Sequence, residues 1–91
     1  MITLEDVIEM VIVTSIYWDT NTDIDTAVEY TLNDYENDLS ITLNTLKAMP
    51  TEYPGAIQNI EGIFSLLRQN DEIIVEELTK HIALIKLGKI L

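Results

Sequence analysis

Residues 25–49, DTAVEYTLNDYENDLSITLNTLKAM, decide the fold. Within them Val28, Leu32, Tyr35, Leu39, Leu43, Leu46 and Met49 recur at spacings of 4, 3, 4, 4, 3 and 3. A strand would return to one face every second residue, whereas this period follows the 3.6-residue turn, so it predicts a single amphipathic helix over 25–49. At 1.5 Å per residue such a helix runs roughly 37 Å. Thr26 with Glu29 three positions on reads as a capping box, and Pro50, which cannot continue a helix, ends it. Poor helix formers cluster in residues 33–38, NDYEND, and leave room for a break there.

On the N-terminal side, Thr3-Leu4-Glu5-Asp6 carries another helix start, with Thr3 placed to accept the Asp6 amide and two acids on the positive end of the dipole. Leu4, Val7, Ile8 and Val11 set a helical period. Residues 11–18, VIVTSIYW, are rich enough in β-branched and aromatic types to suit a strand, but the upstream period favours helix. On the C-terminal side, Tyr53-Pro54-Gly55 reads as a turn. Ile57, Ile60, Phe64 and Leu67 then mark a third helix, with Gly62 where a neighbouring backbone could come close. Asn70 or Asp71 caps a fourth, striped by Val75, Leu78, Ile82 and Ile85 and closed by Gly88, with Lys89-Ile90-Leu91 as an apolar tail. Four helices with short links predict an all-α compact bundle in one domain, residues 1–91. The second helix is longer than a bundle of this size requires, so its distal part overhangs or packs on another subunit.

The chain has 91 residues, 47% of them apolar, with 16 Asp and Glu against 5 Lys and Arg, a net charge of -11. One core can bury roughly 64% of the unfolded surface of such a chain, which separates it from disordered acidic tails. The charge excludes DNA, RNA or anionic lipid as a principal ligand, because phosphate needs a cationic surface. With no cysteine there is no disulfide or thiolate metal site. Apolar runs such as residues 10–13 fall far short of the ~18 residues of a membrane span, and the first residues lack the cationic region of a signal peptide. A soluble cytoplasmic protein is the expectation.

Three constellations bear on chemistry. Residues 19–25, Asp-Thr-Asn-Thr-Asp-Ile-Asp, put oxygen ligands at alternate positions as a calcium loop does. However, Ile24 stands where that loop needs glycine and Tyr30 where it needs a bidentate acid, so capping of the next helix is the better reading. Glu77 and His81, four apart, could share a metal or form an ion pair, but two ligands are too few for zinc. Ser15, Ser40 and Ser65 lack any nucleophile signature, which points away from an enzyme. No cofactor or metal is expected.

The charge distribution is more informative. Residues 1–46 hold ten acids and no Lys or Arg, while residues 78–91 hold three lysines and no acid. On the second helix Glu29, Asn33, Glu36, Asn37 and Ser40 fall opposite the apolar stripe, with Asp34 and Asp38 on the flank. These acids either keep the protein in solution or present carboxylates to a basic protein groove, one meant for nucleic acid. The candidate partner-binding residues are Glu29, Asp34, Glu36 and Asp38, with Tyr30 as an apolar anchor beside them. Tyr35, on the stripe, belongs to the core, and Tyr17 and Trp18 are further aromatic candidates. The same polarity also allows the acidic half of one copy to meet the lysine-bearing helix of another, giving a homo-oligomer.

Residues 1–7, MITLEDV, resemble the start of small helical phage head-to-tail connector proteins, which implies a ring component. Tyr53-Pro54 followed by Glu61-Gly62-Ile63 is similar to the turn and following helix of colicin nuclease immunity proteins, which implies an acidic four-helix inhibitor. Neither resemblance carries a binding residue across. The expected function is a non-enzymatic inhibitor or adaptor that occupies a basic surface, a mimic of nucleic acid; the alternative is a structural assembly protein.

Overall fold

The computed structural model describes residues 2–15 and 21–88. They form four helices in chain order: α1 (Leu4–Ser15), α2 (Ile24–Ala48), α3 (Pro54–Gln69) and α4 (Asp71–Lys86), with no strand among the described residues. The strand alternative for residues 11–18 is therefore settled as helix through Ser15; Tyr17, Trp18 and the 89–91 tail lie outside the described residues.

Each helix begins and ends for a local reason. At α1 the Thr3 amide donates to Asp6 Oδ2 at 3.0 Å and the Asp6 amide donates to Thr3 Oγ1 at 3.2 Å, a reciprocal box that serves two otherwise orphaned donors. α2 runs without a break through 33–38, because its buried face outweighs the weak propensity of the exposed residues. It starts one residue earlier than the spacing predicts, and its cap is Asp23, whose carboxylate accepts the Thr26 amide at 3.2 Å. Thr26 is the donor to that cap, which corrects the expected Thr26–Glu29 box.

Pro54 and Gly55, expected as a turn, are the first residues of α3. Proline suits that position, since its missing N–H would find no partner there in any case. Asn70 joins α3 to α4 and stands at the expected N-cap of α4, where its carbonyl accepts the Ile74 amide at 3.0 Å; its side chain serves α3 instead, with Nδ2 donating to the Leu66 carbonyl at 3.0 Å. Gly88 closes α4 at φ 71, with its amide donating to the Ile85 carbonyl at 2.9 Å. A side chain there would strain the left-handed turn.

The core is aliphatic. Val7 and Val11 of α1, Ala27 and Val28 of α2, Ile63 and Leu67 of α3, and Ile74, Leu78 and Ile82 of α4 form one buried cluster. Leu32, Tyr35 and Leu39 pack half-buried against it, and the Tyr35 hydroxyl donates to Met10 Sδ at 3.6 Å. Burial pushes the Tyr35 phenol above its usual range. The stripe then outruns its cover: α1 has 12 residues and α4 has 16, against 25 in α2. Leu43 and Leu46 stay half-exposed and Met49 is 43% exposed, beside only the first turns of α3.

The predicted overhang is thus present, and it lengthens the molecule to 47 × 21 × 19 Å, with a radius of gyration of 14.5 Å. A compact chain of this length would have about 12 Å. The accessible surface, 6030 Å², likewise exceeds the roughly 5,400 Å² usual for the size.

The expected close approach at Gly62 does not occur, since a Cβ built there meets nothing within 4 Å. Gly62→Ala should therefore stabilise the protein by about 0.5–1 kcal/mol through lower unfolded-chain entropy. Leu78→Ala should cost about 2–5 kcal/mol, because Leu78 is 1% exposed at the centre of the core. Leu46→Ala on the overhang should cost only about 1 kcal/mol. Urea denaturation of the three variants checks this order; equal losses at Leu46 and Leu78 would show that the overhang is packed as tightly as the core.

Candidate functional site

α2 holds the five candidate residues on one rigid rod. Glu29, Tyr30, Asp34, Glu36 and Asp38 are all exposed. At about 100° per residue, Tyr30, Asp34 and Asp38 step along one flank of the outward surface, and Glu29 and Glu36 share the other. Glu36 and Asp38 point about 160° apart. The midline between the rows carries Asn33, Asn37, Ser40 and Asn44, all short and uncharged. The acids are therefore two parallel rows rather than one patch, with axial spacings of about 6 Å from Asp34 to Asp38 and about 10 Å from Glu29 to Glu36. A partner that engages both rows must wrap the helix.

Among the described residues none of these four carboxylates makes an ion pair. Two of the described cations, Lys80 and Lys86, are engaged elsewhere. Lys80 Nζ lies 3.3 Å from Glu76 Oε1 and 3.6 Å from Glu77 Oε1, and these carboxylates raise its pKa. Lys86 donates to the Thr22 carbonyl, tying the end of α4 to the start of α2. Lys47 ends α2 about 16 Å along the axis from Glu36, beyond the ~8 Å Debye length at physiological salt. On α1, Glu5, Asp6 and Glu9 add further exposed acids.

Of the 19–25 stretch compared with a calcium loop, Asp19 and Thr20 lie outside the described residues; the chain is already helical at Ile24, its sixth position, and the Asp23 carboxylate accepts the Thr26 amide. The hydrogen bonds from Thr26, with a smaller contribution from Lys86, hold Asp23 below its ordinary pKa. No three of His, Asp and Glu converge on a common point among the described residues. Ser15 is fully buried, with its hydroxyl donating to the Ile12 carbonyl at 2.7 Å. Ser65 Oγ accepts from Gln69 Nε2 at 3.3 Å.

Glu77 pairs with Lys80 rather than with His81, which corrects the expected Glu77–His81 contact. The His81 Nε2 atom is enclosed and makes no hydrogen bond. Sequence reasoning missed this and the Lys86–Thr22 tie, because both depend on how α4 is rotated against its neighbours.

No helix among the described residues is long and apolar enough to cross a membrane. No protein-family model, curated protein or solved structure matches the chain.

Burial lowers the His81 pKa from its ordinary 6.5. The unfolded chain then binds a proton at higher pH than the folded one, so His81 costs nothing above about pH 6.5 and lowers stability progressively as the pH falls below it. Melting temperatures at about pH 7.5 and about pH 5.5 should diverge more for the wild type than for His81→Gln. An identical pH dependence in the two proteins would show that His81 is solvated.

Proposed function

We propose that the protein is a non-enzymatic binding protein whose acidic α2 face occupies a basic surface of a partner protein, one that handles nucleic acid. It acts as an inhibitor or adaptor in the cytoplasm. The observation that carries this reading is the outward face of α2, where Glu29, Asp34, Glu36 and Asp38 stand without ion-pair partners among the described residues on a helix of 25 residues. An exposed helix evolved for stability alone would gain from lysines at i+4, yet none occurs before Lys47.

Magnitudes refine the mimicry. From Asp25 to Asp38 the helix carries five carboxylates over roughly 20 Å, about one per 5 Å. Duplex DNA carries one charge per about 1.7 Å, so α2 presents about a third of that density. The face supplies discrete acids for individual Arg and Lys side chains instead of a continuous polyanion. Steering by the net charge of -11 then speeds encounter, and Tyr30 beside Asp34 supplies apolar contact once the acids are engaged.

The double substitution Asp34→Lys with Asp38→Lys should weaken partner binding at least tenfold while leaving the helical circular dichroism intact. Capture from host extract at low and high salt, followed by titration of the purified partner, measures this. Wild-type affinity in the variant, or binding indifferent to salt, would remove α2 from the interface.

A further inference from the structure

α4 is apolar on two sides. Its inner stripe, Ile74, Leu78, Ile82 and Ile85, is in the core. Its outer side carries a second series, Ile73, Glu77, Lys80, Leu84 and Leu87, spaced 4, 3, 4 and 3. That alternation is the seam spacing of paired helices, and nothing in the bundle covers it. Ile73 is 48%, Leu84 42% and Leu87 69% exposed, the Lys80 side chain is largely open and that of Glu77 half-exposed.

The order of types along the seam identifies its occupant. Placed antiparallel to itself about a two-fold axis between 77 and 80, the series is self-complementary: Ile73 meets Leu84 of the second copy, and Glu77 meets Lys80, twice over. The same register sets Leu87, the most exposed of the large apolar residues described, over the cavity at the α3–α4 turn bounded by Arg68 and Ile73. We propose that this outward face of α4 is an isologous self-association surface joining two copies antiparallel.

Electrostatics favours the antiparallel arrangement of this face. Two copies of charge -11 repel, so a contact between them needs opposite charges that meet across it. α4 has Asp71, Glu72, Glu76 and Glu77 in its first half and Lys80 and Lys86 in its second, and the antiparallel arrangement puts each half against its opposite. The dipoles of the two helices also oppose. The intrachain pairs of Lys80 with Glu76 and Glu77 are exposed and weak, so they do not hold Lys80 back from a second copy.

The seam is about 21 Å long and carries three large apolar residues a side, short of the standard stable interface, so it gives a reversible dimer. Because α2 and α4 bury their inner faces against a common core, the seam points away from the acidic rows and leaves them open in the dimer.

Sedimentation equilibrium of the full chain at about 0.15 M salt, where like charge is screened beyond about 8 Å, tests the proposal. The expected result is a concentration-dependent dimer. Leu84→Glu should weaken it at least tenfold. Glu77→Lys and Lys80→Glu should each disfavour the homodimer, but the two single variants mixed together should form a heterodimer, since each then supplies what the other lacks. Circular dichroism confirms that each variant is folded, and the mixing experiment needs only the two charge variants. A monomer at all concentrations overturns the proposal, as does a dimer indifferent to Leu84→Glu or a mixture no more associated than its components.

Discussion

Packing of the N-terminal half of α2 against α4 is the constraint from which the other features follow. Ala27 is 1% exposed and Thr31 wholly buried, so α2 enters the bundle through small side chains that let the larger Ile74, Leu78 and Ile82 fill the centre. Val7 and Val11 close the cluster from α1 and Ile63 and Leu67 from α3. With the central cluster aliphatic, and Thr31 and Ser15 the buried polar residues beside it, non-directional burial holds the fold together. That burial is exhausted halfway along α2, because α1 and α4 are too short to follow it. A rigid helix then extends past the core with only α3 beside it.

This geometry organises the charge. Two of the few cations lie in α4 and are engaged there: Lys86 ties it to the Thr22 carbonyl, and Lys80 rests on Glu76 and Glu77. The α2 acids are left with solvent on their side and a packed stripe behind them. The fold thus turns a compositional excess of acid into two defined rows, Tyr30–Asp34–Asp38 and Glu29–Glu36, held at helical spacing. Local repulsion is tolerated because the rows lie on opposite flanks, separated by a neutral midline.

Period and cap chemistry made most of the architecture legible in the sequence. The 4, 3, 4, 4, 3, 3 spacing located α2 to within a residue, Thr3 and Asp6 formed the expected box, and Gly88 took the left-handed turn. Misses occurred where one residue serves two possible masters. Asn70 takes the expected N-cap position of α4 but turns its side chain back to Leu66, and Pro54 could turn the chain but opens α3. Gly62 suggests a contact point, but whether a small residue faces a neighbour depends on helix rotation, which no local pattern encodes. The division of the acids into two rows follows from helix register alone. The outer seam of α4 was hidden because the stronger inner stripe of the same helix accounted for its apolar content.

In the proposed binding mode the α2 face, rather than the acidity of the molecule as a whole, makes the contact. A two-dimensional NMR titration of isotope-labelled protein with its captured basic partner addresses this residue by residue. Amide shifts should concentrate at residues 29–38 and fade towards α4. Shifts spread evenly over Glu5, Glu9, Glu52 and Glu61, or centred on α1 with α2 unmoved, would contradict it and leave the acids of α2 to solubility.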